Sequence, residues 1–335
     1  MGMNLLFTFL SLFRYNHRMK YLFRSLAYTV LMLVLISLLS FGAIHMAPNS
    51  FSGGELNPNM TPEAIAQLKA VYGLDKPLFR QYADWVVNLV HLNFGISFTN
   101  GAQVSEVVAE RLPVTLWMNI VALLLTFVLS LWLGITAAMH YGSRKDSALI
   151  QFSLVSFAMP SYYLALVLML LLGFVLGWFP LNGLHSLEPP AGIGYYLDMA
   201  WHLTLPIAVM VFVGVGSLTL YVRSLVIEIL KSDYIYFARA RGIDEKKIIR
   251  YYILPNLLPP IVTMLGLSLP GLIGGSVILE SIFGIEGMGQ LFYLSAMSRD
   301  YPVIMGILMM SAFLTLIGNQ IADAILLKLN PFVKR

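Results

Sequence analysis

Cysteine is absent from the 335 residues, which excludes disulfides, thiolate nucleophiles, iron–sulfur clusters and thiolate zinc sites. Histidine is scarce. The six residues His17, His45, His91, His140, His185 and His202 show no i, i+4 pair and no metal-ligand spacing, so no metal site is expected. Charge is sparse at 11% of residues, against about 25% in an average soluble domain. No G-x-x-x-x-G-K-[ST] loop occurs, so the chain has no means of cradling ATP in that manner. No cluster of acid, base and nucleophile is visible, so no catalytic residue is assigned and an enzyme embedded in the membrane is disfavoured.

What is present is apolar surface. Hydrophobic residues make up 58% and the mean hydropathy is +0.77. Six stretches are long enough to cross a hydrocarbon core of about 30 Å, which takes roughly 20 helical residues. They are 27–47, 115–140, 148–178, 203–228, 257–283 and 303–327. Pro160 lies within the third and predicts a kink or tilt. Lysine and arginine then orient the chain. With the N-terminus inside, sixteen of the 21 basic residues fall on the inner side and five (Lys69, Lys76, Arg80, Arg111, Arg299) outside. An odd number of spans breaks this sorting. The reading is therefore an all-α membrane protein with six spans and both termini cytoplasmic. The net charge of +4 reports orientation and gives no reason to expect nucleic acid.

The organisation follows. Residues 1–26 are a cytoplasmic segment, 27–47 the first span, 48–113 an extracytoplasmic helical region, 114–328 a five-helix core and 329–335 a cytoplasmic tail. Leu5–Phe13 is too short and poorly flanked for a signal peptide, so the first span is expected to be retained. Residues 1–18 are either an interfacial helix or precede a true start at Met19. In the outer region, Thr61-Pro62-Glu63 starts a helix: a capping hydroxyl, a proline at the first position, an acid near the positive end. Pro77 precedes a second helix, Phe79–Leu92, with Tyr82, Trp85 and Val86 on one face. A third runs from Val104 to Leu112. The region is read equally as a helical cap or as a docking surface for a delivery protein.

The inside loop 229–256 carries most information. Tyr236 to Arg241 forms a short helix that Gly242 ends. Small Ala238 and Ala240 let that helix lie close in a groove. Asp244 caps a second helix beginning at Glu245, and Leu254-Pro255 breaks it before the fifth span. Charge alone favours an ordinary basic inside loop.

The residues of this loop resemble the coupling motif of ABC importer permeases, E-A-A, three residues, G, nine residues, I-x-L-P. Gly242, Ala238 and Leu254-Pro255 match, while Tyr236 stands for the glutamate and Tyr252 for the isoleucine. Asp233-Tyr234 with Ala238-Arg239-Ala240-Arg241-Gly242 is closer to the D-Y-x-x-x-A-R-A-K-G variant of the dipeptide, oligopeptide and nickel subfamily, in its "B" type subunit. The resemblance extends through His45-Met46-Ala47-Pro48, Tyr72-Gly73-Leu74-Asp75-Lys76-Pro77, Asn93-Phe94-Gly95, Arg111-Leu112-Pro113 and Gly177-Trp178-Phe179-Pro180. It continues in Glu280-Ser281-Ile282-Phe283, Gly287-Met288-Gly289 and Arg299-Asp300-Tyr301-Pro302. Departures at Asn49-Ser50-Phe51, Leu92-Asn93, Ile285-Glu286 and Asn330-Pro331-Phe332 fall mostly on the outer side.

The resemblance implies a type I ABC importer permease fold in a bacterial cytoplasmic membrane. It implies half of a pore for short peptides, with nickel or a metal chelate as the alternative. The implied partners are a second, non-identical permease, two ATP-binding subunits that hold ATP and Mg, and an extracytoplasmic solute-binding protein. Tyr236, Phe237, Ala238, Arg239, Ala240, Arg241, Gly242, Leu254 and Pro255 are then the ATPase-coupling residues. An ion-coupled secondary transporter is the reading from another class. It requires inverted repeats and mid-membrane charges, and neither is evident.

Pore or gate candidates come with plainer readings. Gly271 and Gly275 form a small-xxx-small pair in the fifth span, read first as close helix packing. Asn319 and Asp323 share a face of the sixth span, with a structural partner expected for the acid. Glu280 either lines the pore mouth or bonds backbone where Phe283-Gly284 ends the helix, the latter being favoured. Tyr162 and Tyr163 either face a peptide backbone or pack with other rings, packing being the safer reading.

Overall fold

The computed structural model describes residues 27–46, 76–268, 271–274 and 276–329, without the side chains of 273, 274 and 322–329. The expectations at residues 1–18, Thr61-Pro62-Glu63 and Gly275, and those about the Asp323 side chain, lie outside the described residues. The helices are α1 (Ala27–Met46), α2 (Leu78–Val90), α3 (Val104–Met139), α4 (Arg144–Ala158), α5 (Ser161–Val175), α6 (Ile193–Leu230), α7 (Asp233–Ala240), α8 (Glu245–Ser268), a single turn α9 (Gly271–Gly274), α10 (Val277–Phe283), α11 (Met288–Met297) and α12 (Tyr301–Leu329). Among the described residues there is no strand beyond one isolated bridge, Ile96 to Gln103. The chain forms two compact units, Met1–Ser105 with Ser295–Gln320, and Glu106–Leu294 with Ile321–Arg335.

In the first unit, α2 begins after Pro77 as the sequence predicts. Its Tyr82 and Trp85 rings lie 5.3 and 6.2 Å from Phe41 of α1, and Tyr82 shares a 2.8 Å hydrogen bond with Ser37. The Lys76 ammonium donates to Asp84 at 2.7 Å and holds that carboxyl below its usual range. The loop 93–103 is fastened to the start of α12 by one carboxylate. Asp300, 1% exposed, accepts from Ser97 Oγ at 2.5 Å, Thr99 Oγ1 at 2.7 Å and the Phe98 N–H at 3.1 Å. Truncating a buried charged acceptor strands its donors, so Asp300→Ala is expected to lose about 3 kcal/mol. Limited proteolysis of the purified protein should then cut first within 93–103; unchanged resistance there would contradict the role given to Asp300.

In the second unit, α3 is a single helix of 36 residues. The third outer helix and the second span therefore fuse, and Pro113 does not separate them. A membrane helix tolerates an internal proline because neighbouring groups re-satisfy the freed carbonyl. Likewise α6 runs through Pro206 and starts about ten residues before the expected fourth span. Pro160 does what the sequence predicts, more strongly: α4 and α5 meet there at 97°.

The expected fifth span, 257–283, is not one helix. Helix α8 is described as far as Ser268, and Ser276, at φ −99 and ψ 88, lies outside helical geometry and caps α10. The sequence between carries Pro270, Gly271, Gly274 and Gly275, poor helix formers. Nor does Leu254-Pro255 break α8. The turn Ile249–Ile253 widens to a π-helix immediately before Pro255, which relieves the clash its ring makes with a preceding carbonyl. Helices α10 and α11, 7 and 10 residues long and bent by 88°, are each about 10–15 Å long, too short to cross. Among the described residues five helices are each long and apolar enough to cross, and the two bent pairs raise the number to seven at most. Counting α4–α5 as one span and setting aside the short bent pair α10–α11, called the hairpin below, gives the six expected from the sequence. These are α1, α3, α4–α5, α6, α8 and α12.

Two apolar clusters mark the ends of this unit. One gathers Met118, Ala165, Leu203, Leu279, Phe283 and Ile285. The other gathers Ala138, Val222, Val226, Ile235, Ile248 and Ile253. Met118 and Ala138 are separated along α3 by about 30 Å at 1.5 Å per residue, the thickness of a hydrocarbon core. The α10–α11 hairpin therefore sits at one end of the bundle and α7 at the other.

Candidate functional site

At the second end, Asp233–Ala240 forms α7, one turn longer than predicted at its start. Ile235 and Ala238, three residues apart and so on one face, are 0% and 3% exposed. Ile235 fixes α7 in the cluster of Val222, Val226, Ile248 and Ile253, and Ala238 is buried on the same side of the helix. Tyr236, Phe237, Arg239, Ala240 and Arg241 all face outward. The Tyr236 and Phe237 rings, 71% and 61% exposed, meet edge to face at 5.8 Å. Gly242 closes the helix at φ 73, the left-handed conformation that glycine adopts without penalty. Asp244 caps the next turn by accepting from Lys246 N–H at 3.2 Å. Arg239 Nε donates to Glu245 Oε1 at 2.8 Å across the corner. The expectation for Ala238 is corrected: its small side chain is turned inward, and Ala240 alone of the two alanines is presented. Leu254 and Pro255 are exposed but lie inside α8 instead of ending a separate helix.

At the first end, Glu280 is fully buried and does not line a pore mouth. Its carboxylate accepts from the Gly289 and Gln290 N–H groups at 2.7 and 3.1 Å and from Thr115 Oγ1 at 3.1 Å. Thr115 Oγ1 accepts in turn from Met288 N–H at 2.8 Å. Glu280 thus bonds backbone, but at the start of α11 and not at the end of its own helix, placing negative charge at a helix N-terminus. The run Gly287-Met288-Gly289 is explained by the same packing. A Cβ on Gly289 would lie 2.8 Å from the Val277 backbone, and one on Gly287 would lie 2.5 Å from Glu280 Oε2.

The other candidates separate. Among the described residues, a Cβ on Gly271 would meet nothing within 4 Å. Gly271 borders a cavity of about 320 Å³ whose polar lining is Asn119, Thr126, Ser217 and Ser268, with no charged side chain among the described residues of its wall. Tyr162 and Tyr163 are both more than half exposed. Asn319 is exposed on α12.

Sequence reasoning missed one ion pair. Arg223 of α6 grips Asp146 of α4 with both prongs, Nε to Oδ1 and Nη2 to Oδ2, each at 2.7 Å. The Asp146 carboxylate also accepts from Gly142 N–H at 3.0 Å, and its backbone N–H donates to Ser143 Oγ at 3.2 Å. The two residues are 77 apart and each reads as an ordinary inside charge. The available signal was a basic residue lying within the 203–228 span, where a counter-charge is needed.

Similarity to known proteins agrees with this architecture. Residues 130–335 match the family described as the binding-protein-dependent transport system inner membrane component. Residues 18–119 match the N-terminal part of such membrane components. The oligopeptide transport system permease protein AppB of Bacillus subtilis is 35% identical over 94% of this chain and 99% of its own length. OppB of Haemophilus influenzae, an oligopeptide transport system permease protein, is 32% identical over 94% and 99%. The dipeptide transport system permease protein DppB of Lactococcus lactis is 33% identical over the same shares. A chain of an inward-facing MetNI methionine ABC transporter superposes with TM-score 0.49 at 18% identity, covering 66% of this chain and 97% of that one. The chain is a multi-pass membrane component and not an enzyme: it belongs to the binding-protein-dependent transport system inner membrane family, the permease subunits of ABC importers, which work with separate ATPase and membrane subunits.

Proposed function

We propose that this chain forms half of the pore of an importer for short peptides, and that α7 is its seat on a partner ATPase. The observation that carries the coupling role is the two-faced build of α7. Ile235 anchors it to the bundle with Ala238 buried on the same side, and five exposed side chains project from the end opposite the α10–α11 hairpin. The peptide substrate rests on the relatives named as oligopeptide and dipeptide permeases. A cavity wall with no charge among its described residues suits peptides whose side-chain charge varies. The α7 end faces the cytoplasm, as the distribution of lysine and arginine requires, in a bacterial cytoplasmic membrane. ATP and Mg are held by two partner subunits, a non-identical permease completes the pore, and a solute-binding protein delivers from outside.

Uptake of labelled di- to hexapeptides and of nickel, with and without this chain, tests the substrate. Loss of peptide uptake alone supports the reading, and loss of nickel uptake alone replaces it. Ala240→Glu tests the seat. A new carboxylate on the outward face is expected to abolish uptake and ATPase retention while membrane insertion stays normal. Wild-type uptake by that variant would dismiss α7 as the seat.

A further inference from the structure

Helices α4 and α6 run against each other at unusually close range. A Cβ on Gly216 of α6 would lie 2.7 Å from the Phe157 N–H and 2.8 Å from Ser156 Oγ of α4, and Ser156 donates to the Phe212 carbonyl. Ser153 and Ser156 are fully buried there. At the other end of the same seam lies the bidentate Asp146–Arg223 pair, with the Tyr141 ring 5.4 Å from the guanidinium carbon. Going down α4 from Ser156 to Asp146 and along α6 from Phe212 to Arg223 covers about the same length, so the two contacts bracket an antiparallel seam of about 16 Å.

The last turns of α6 carry two attachments on different faces. Val222 and Val226 hold α7 through Ile235, while Arg223, beside Val222, holds α4. At the far end of α4, Pro160 begins the 97° bend into α5, and α5 packs through Ala165 into the cluster that contains Leu279 and Phe283 of the hairpin. A displacement of α7 has a continuous route of packed and bonded groups to the opposite end of the bundle. The route is α7, the end of α6, the ion pair, α4, the bend, and α5. Packing alone permits sliding along the seam. A two-pronged guanidinium–carboxylate bond resists it, because both prongs must break together.

We propose that Asp146 and Arg223 are positioning residues for transport, forming a clamp that makes α4 follow α6 when α7 moves. This rests on α7 being the ATPase seat. The decisive quantity is solute taken up per ATP hydrolysed, which a staple needed only for folding would not alter in the complexes that do assemble. The full transporter, reconstituted in proteoliposomes, would carry Asp146→Asn, Arg223→Gln and Arg223→Lys in this chain. The expected result is ATP hydrolysis near wild type with uptake per ATP reduced about tenfold in the first two variants. Arg223→Lys, which keeps the charge but loses the fork, should fall between. The same uptake per ATP in all three overturns the proposal, and so does a loss of assembled complex with the ratio unchanged in what remains. Should Arg223→Gln fail to fold, the Asp146→Asn and Arg223→Lys ratios decide. Failure of the seat itself is seen separately, as Ala240→Glu complexes that keep both ATPase and uptake.

Discussion

Phe237→Ala should release the partner ATPase from membranes in which the permease itself is folded and present at normal level. The Phe237 ring is 61% exposed in this chain and contacts Tyr236 alone among the described rings, so its removal costs the fold little. Exposed aromatics on a short, rigidly held helix are the side chains that dominate docking surfaces. Truncating such an anchor typically costs about 2–4 kcal/mol of binding, a weakening of roughly 30- to 1,000-fold. Ala238→Leu should show the reverse. Ala238 is 3% exposed, and added methylenes at so closely covered a position overpack the inner side of α7 at a cost of about 1–3 kcal/mol of stability. Co-purification of the ATPase with each variant, alongside its thermal midpoint in detergent, separates the two. Full ATPase recovery with Phe237→Ala would remove that ring from the seat.

Glu280→Ala should be the most damaging single truncation for stability. It strands the N–H groups of Gly289 and Gln290 and the Thr115 hydroxyl, in a site with no exposure. Each stranded buried donor costs about 1–3 kcal/mol, so the three together set the expected loss at about 3 kcal/mol or more, with a poorly ordered start of α11. Glu280→Gln retains one acceptor oxygen and should lose about half as much. The measurement is the fraction of protein remaining monodisperse in detergent across a heating series. An alanine variant as heat-resistant as wild type would refute the assignment.

Much of the architecture was legible because it depends on local signals. Span lengths follow from apolar runs, the bend at Pro160 from a ring that cannot donate, and the stop of α7 from Gly242. The loop that presents Tyr236 to Arg241 is a matter of register, and register is written in consecutive residues. What the sequence did not disclose depends on pairing at a distance. Nothing local says that Pro113 and Pro255 sit in continuous helix, since that depends on neighbours and on a π-turn that absorbs the strain. Nothing local says that Ala238 turns inward while Ala240 turns out, because that depends on how α7 is seated through Ile235 on Val222 and Val226 of another helix. Glu280 was assigned to the backbone correctly but to the wrong helix end, its true donors lying beyond a reversal that the hydropathy runs straight through. Asp146 and Arg223 look like ordinary surface charges until the two helices are laid together.

The Glu280 node also sets an order of events when the protein is made. Thr115 leaves the ribosome 165 residues before the carboxylate it meets. The donors on Gly289 and Gln290 follow Glu280 by only 9 and 10 residues. An acid entering a bilayer alone is expelled toward water, so α10 has reason to remain at the surface until the start of α11 emerges to satisfy it. The hairpin would then swing inward as one preassembled piece onto Thr115 of an α3 already in place. Insertion of this segment would be a late step of membrane biogenesis, coming after the α3, α4–α5, α6 and α8 spans have settled.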